Sequence, residues 1–232
     1  MDGESGKDRI RLARAAFEKA LRIDPEYGQV WRSLSGLAYQ EEKYDLATTY
    51  ATKALTCKEK DLSALWDRAR AYASLHKNKE ALADITEMIN RYPRRQLEHY
   101  VLKAQILESL GKIDETIATY REASHWGKDW ASFQIINCLA RHNRIDEAMV
   151  EATSLIKANP EDDEAFYARA KLEVKKKDFQ HALADYSKAI SLEPLSKYYR
   201  ERASAYKALG QNEMFERDMA QSNKWVGRSA HY

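Results

Sequence analysis

The chain is predicted to be all-α, built from short amphipathic helices stacked as helix-turn-helix units. Two observations predict this. Apolar residues recur at helical spacing along nearly the whole chain, and blocks of that pattern return at a step of about 34 residues. Breakers are scarce as well: only 8 Gly and 4 Pro occur in 232 residues, and the prolines fall between blocks, where a helix must stop.

The blocks follow in order. Ala13, Phe17 and Ala20 form a small–bulky–small face closed by Pro25. One step on come Ala47, Ala51 and Ala54, then Ala81, Ile85 and Met88 with Pro93. The next block slips by one residue to Thr116, Tyr120 and Ala123. Ala148, Ala152, Leu155 and Pro160 follow, then Ala182, Tyr186, Ala189 and Pro194, and last Phe215, Met219 and Ser222. Between these lie other helical faces: Trp31, Leu34 and Ala38; Ala69 and Tyr72; Ala104 and Leu107; Ile136 and Leu139; Ala170; Ala203 and Tyr206. Each unit is therefore two helices joined by a tight turn. The turns read "LGKID", "HNRID" and "LGQNE", with Gly111 and Gly210 placed to end a first helix in left-handed geometry.

This pattern resembles the tetratricopeptide repeat (TPR), a helix-turn-helix of 34 residues with aromatic, Leu, small and Tyr positions on the first helix and Ala, aromatic, Ala and Pro on the second. Trp31, Leu34, Ala47 and Ala54 match in one unit, Ala69, Tyr72, Ala81 and Pro93 in the next, and Ala170, Ala182, Tyr186, Ala189 and Pro194 in a later one. Departures are local: Ser35 for the usual small residue, Glu173 for the Tyr, Phe215 for an Ala. The resemblance implies a right-handed superhelical α-solenoid. The expected units are 28–61, 62–96, 97–128, 129–162, 163–195 and 196–225. A flexible stretch at 1–8 and a lone helix at 9–25 are expected ahead of them, and a tail at 226–232 behind. The lone helix matches only a second helix, which favours truncation over a native cap. Trp225 is expected to pack on the last unit.

Composition limits the function classes. Hydrophobic residues at 44% can fill a core, while 32% charged residues are too many for a membrane span. A net charge of +2 does not point to nucleic acid. Cys57 and Cys138 form no C-x-x-C pair and are expected as two reduced thiols. "MDGESGKDRIRL" has no apolar leader region, so a cytoplasmic location is expected. No phosphate-binding glycine loop, H-E-x-x-H or G-x-S-x-G string occurs, the six histidines are scattered, and "SLHK" and "SLIK" lack companion motifs. The chain is therefore expected to be no enzyme, with no cofactor and no metal.

In the family, the first helices line a concave groove. Carried over, the groove positions include Arg32, Tyr39, Trp66 and Arg70 in the first two full units, then Phe133, Asn137, Tyr167, Lys171, Lys175, Lys197 and Arg200 further on. Trp66, Phe133 and Tyr167 are candidate anchors, since aromatic and Arg side chains supply most binding hot spots. The basic run from Lys171 to Arg200 is expected to attract an acidic segment. A chaperone-tail carboxylate clamp is not expected, because Asp67 and Glu98 stand where an amide and a cation belong. The expected function is a non-catalytic protein–protein interaction scaffold or adaptor holding a peptide in its groove. Two alternatives stand beside it: an interaction domain excised from a longer protein or enzyme, and a single-stranded RNA-binding repeat, which Asp67, Glu98 and Glu108 oppose. Homodimerisation is expected through the first helix, whose Leu12, Ala13, Ala16, Phe17 and Ala20 stripe the following unit covers only in part.

Overall fold

The computed structural model describes residues 2–58, 61–91 and 96–225. Those residues form thirteen α-helices and one short 3-10 turn, with no strand among them. No described helix is long and apolar enough to cross a membrane. The chain divides into two compact units, residues 1–119 and 120–232.

The first unit opens with α1 (Asp2–Ile23), followed by α2 (Gly28–Gln40), α3 (Tyr44–Thr56), α4 (Ala64–Ser74), α5 (Asn78–Arg91) and α6 (Leu97–Ser109). The helix α7 (Ile113–Glu122) runs across the division. The expected flexible stretch at 1–8 is helical from Asp2 on. Pro93 lies outside the described residues.

From α1 to α6 each helix packs on the next, and the alternate helices α2, α4 and α6 also touch in turn. Small residues make this possible. Ala47, Ala51 and Ala54 on α3 are fully buried and let α2 and α4 approach closely. Trp31, Tyr39 and Tyr50 fill the space that the alanines leave. Ser35 is also fully buried, and its hydroxyl donates to the Ala47 carbonyl at 2.8 Å. A serine is tolerated in that alanine-sized slot because its one polar group is satisfied.

The second unit holds a 3-10 turn (Ala123–Trp126), then α8 (Lys128–Arg141), α9 (Ile145–Ala158), α10 (Asp163–Lys175), α11 (Phe179–Leu192), α12 (Ser196–Ala208) and α13 (Asn212–Trp225). Tyr186 and Tyr198 are its largest fully buried side chains. They pack with Ala170, Ala182, Ala189 and Phe166 between α10, α11 and α12. The side chain of Trp225 and the tail from residue 226 lie outside the described residues.

The turns inside the helix pairs share one geometry. Residues 42, 76, 111, 143, 177 and 210 all have positive φ, between 56° and 72°. In each, the next residue's N–H reaches back to a carbonyl of the helix it leaves, as Lys77 does to Tyr72 at 2.9 Å and Gln211 to Tyr206 at 2.9 Å. This is the Schellman ending. Gly111 and Gly210 suit it, but Glu42, His76, Asn143 and Lys177 adopt it as well. Left-handed backbone costs an ordinary L-residue about 1–2 kcal/mol, partly offset by the greater chain entropy that glycine loses on folding. His76→Gly and Lys177→Gly should therefore each stabilise the fold by up to about 1 kcal/mol. Gly210→Ala should cost a similar amount, because no atom lies within 4 Å of the added Cβ and only the backbone term changes. Urea denaturation of the three variants checks this; unchanged midpoints would show that the turn relaxes.

Three helix pairs are held by a half-buried clip that recurs at one separation. Arg68 grips Asp84 across α4 and α5 with Nε and Nη2 at 2.7 and 2.8 Å. Arg169 grips Asp185 across α10 and α11 at 2.6 and 2.9 Å. Arg202 grips Asp218 across α12 and α13 at 2.8 and 2.9 Å. Each arginine stands 16 residues before its aspartate, and the planar fork meets the carboxylate with two parallel bonds.

Candidate functional site

In the second unit, α8 and α10 lie side by side and leave a cleft of about 420 Å³ between them. Helical spacing explains its lining. Phe133, Asn137 and Ala140 stand three or four residues apart on α8, and Glu164, Tyr167 or Ala168, Lys171 and Lys175 do the same on α10. Five of the groove residues read from the sequence meet here: Phe133, Asn137, Tyr167, Lys171 and Lys175. Arg141, Ile136, Ala140, Ala168 and Leu172 complete the lining. The sequence pattern assigned Ile136 to the packing face, and the other four carried no signal of their own.

Tyr167 is the fixed wall of the cleft. Its ring packs against Tyr198 at 4.9 Å and Tyr186 at 6.1 Å between centroids. It touches two apolar clusters of this unit, so it is half-buried rather than freely displayed. Burial, and then the negative charges of Glu201 and Glu164, push its phenol above the ordinary range, and it stays a neutral hydroxyl. Lys171 sets its ammonium 5.3 Å from the ring centre. Lys171 and Asn137 are exposed and make no hydrogen bond or ion pair with a described residue. Lys175 donates to the Ala140 carbonyl at 3.0 Å, which ties the far end of α10 to α8.

Of the remaining basic groove positions, Lys197 is paired with an acid and Arg200 contacts only a hydroxyl among the described residues. Lys197 is bonded to the Glu164 carboxylate and lies 5.2 Å from the Tyr167 ring. Arg200 makes a long contact of 3.4 Å to the Ser196 hydroxyl. The positive charge in the cleft lining is carried by Arg141, Lys171 and Lys175.

The first-unit groove residues form a separate cluster. Arg32 bonds Asp67 at 3.0 Å and lies 3.9 Å from Asp61, so its charge is taken up inside the protein. Burial raises the Asp67 carboxyl above its usual range, with the Arg32 charge and hydrogen bond opposing. Arg70 sits 4.2 Å from the Tyr39 ring centre and 5.6 Å from that of Trp66. Trp66 in turn packs on the His99 ring at 5.0 Å. His99 is 4% exposed, and its Nδ1 has no partner among the described residues. Burial lowers its pKa and keeps it neutral. Both cysteines are buried, and neither is in a disulfide.

Comparison with known proteins bears out the resemblance. A tetratricopeptide-repeat family model matches residues 5–61 and 133–198, and a second tetratricopeptide-repeat model matches residues 97–124. Curated protein sequences return no match. Among solved structures, the chain is similar to YrrB, described as a TPR protein with an unusual peptide-binding site. There the identity is 21%, with 84% of this chain and 98% of that one covered, at a TM-score of 0.57. It is also similar to a tetratricopeptide repeat protein from Parabacteroides merdae, at 19% identity, coverage of 96% and 89%, and a TM-score of 0.59. The C-terminal part of a TPR repeat-containing protein from Cytophaga hutchinsonii matches at 17% identity, coverage of 84% and 79%, and a TM-score of 0.63.

Proposed function

The chain belongs to the tetratricopeptide-repeat family, and on that footing we propose that it is a non-catalytic interaction scaffold that holds an acidic segment of a partner protein in the α8–α10 cleft. One observation carries this proposal. The cleft joins an apolar wall, Phe133 and Tyr167, to polar groups on Asn137 and Lys171 that make no hydrogen bond or ion pair with a described residue. A bound segment would bury an apolar side chain against the rings and set a carboxylate at Lys171 and Lys175. Its backbone would meet the Asn137 amide, which offers both a donor and an acceptor. The peptide-binding description of YrrB is consistent with such a use. No chaperone-tail clamp is part of the proposal, since Asp67 is bonded to Arg32 and Glu98 is acidic.

The test is a selection of random twelve-residue peptides on the full chain, followed by calorimetric titration of the best binder. Selected peptides should be rich in Asp and Glu beside an aromatic or aliphatic residue. Lys171→Glu should weaken binding at least about tenfold, about 1.4 kcal/mol, since it replaces attraction by repulsion at a partly desolvated contact. Affinity should also fall as salt rises. Peptides without acidic residues, or equal binding by Lys171→Glu, would remove the cleft from the function.

A further inference from the structure

We infer that Arg70 is a preorganised carboxylate receptor on the first unit: a site for an Asp or Glu side chain of a bound peptide, separate from the α8–α10 cleft and not dependent on it. Six described arginines are half-buried: Arg14, Arg68, Arg70, Arg144, Arg169 and Arg202. Five of them hold a carboxylate, on Glu41, Asp84, Glu147, Asp185 and Asp218 respectively. Arg70 holds none, and it makes no hydrogen bond to any described residue.

A half-buried guanidinium without an acceptor costs desolvation that ring contacts offset only in part and that no carboxylate among the described residues returns. What the chain does supply is orientation. Tyr39 at 4.2 Å and Trp66 at 5.6 Å hold the cation over their rings, an arrangement that suits guanidinium better than ammonium. Tyr39 is itself positioned, since its hydroxyl lies 3.3 Å from the Ser74 hydroxyl and its ring packs on Tyr44 at 5.3 Å. Trp66 is braced by His99. Ring contacts occupy the faces of a guanidinium and leave its edge donors for a planar acceptor. The nearest acid in sequence, Asp67, is engaged by Arg32 and weakens the local positive field without filling the fork. The ligand that fits is a carboxylate offering two oxygens to that edge, with an apolar neighbour resting on Trp66.

Hexaglutamate with an amidated C-terminus is the probe, titrated into the ¹⁵N-labelled full chain. The Arg70 Nε–Hε resonance should shift on titration, and amidated hexaglutamine should leave it unmoved. Arg70→Gln should raise the hexaglutamate Kd read at first-unit resonances about tenfold. Arg70→Lys should recover only part of that loss, because it restores charge and not the fork. Lys171→Gln should leave the Arg70 response unchanged, which keeps this inference distinguishable from the cleft. An Arg70 signal unmoved at saturating hexaglutamate would overturn it, and no variant need fold for that outcome to be read. A response that appears only with a free C-terminal carboxylate would also overturn the side-chain assignment.

Discussion

Replacing Arg202 by alanine is expected to destabilise the second unit by about 3–5 kcal/mol, the usual consequence of leaving one partner of a buried ion pair uncompensated. Asp218 keeps only 3% of its side chain exposed and Arg202 16%, so water cannot replace the lost guanidinium. The substitution also removes the 2.8 Å bond from Nη1 to the Ser187 hydroxyl on α11. One side chain thus ties α12 to both of its neighbours. The double replacement Arg202→Met/Asp218→Leu should recover most of the loss, since an apolar pair of similar volume avoids the desolvation of both charges. Guanidinium denaturation of the two variants checks the pair of expectations. A loss below about 1 kcal/mol for Arg202→Ala would mean that the clip behaves as an exposed salt bridge.

The second large effect depends on pH. Glu173 is 7% exposed, and its Oε2 has no partner among the described residues. Burial first, and then the negative charge of Asp185, push its carboxyl up to about 7 from an ordinary 4.5, against the pull of Arg169 and His181. The folded chain therefore holds this proton more tightly than the unfolded one. The stability that the proton brings is complete below pH 4.5, falls as pH rises through the window up to about 7, and is absent above it. The swing is at most about 3 kcal/mol, at 1.36 kcal/mol for each unit of difference. Glu173→Gln mimics the protonated form and should remove this dependence. Urea denaturation at pH 5 and pH 8 should show the wild type losing about 2–3 kcal/mol relative to the variant. The difference between the two proteins cancels His99, whose lowered pKa acts in the opposite direction in both. Parallel stability curves would show Glu173 reaching water in solution.

Both effects arise from residues that the repeat pattern does not explain. Glu173 stands where the family pattern has Tyr, so the sequence marked it as a departure. Only the packing of α10 on α11 shows that its carboxyl is buried beside Asp185. The clips were legible in principle, as an Arg followed 16 residues later by an Asp just ahead of Ile85, Tyr186 or Met219. They were missed because charged residues at helical positions ordinarily face water.

The sequence by itself determined that the chain is all-α, that it is built of helix pairs, and that it belongs to the tetratricopeptide-repeat family. Those properties follow from apolar periodicity, from the placement of Ala and aromatic residues, and from the scarcity of breakers. Each acts over one or two turns of helix, so neighbours in sequence suffice to reveal it. The tertiary structure alone decided which groove residues keep their charge. Arg32, Lys197 and Arg70 look alike in the sequence, but the first two meet Asp67 and Glu164 while the third meets rings and no carboxylate among the described residues. Those carboxylates lie 35 and 33 residues from their cations, a full repeat away. The position of a side chain so distant along the chain is set by how one helix pair stacks on the next, and local pattern carries no record of it.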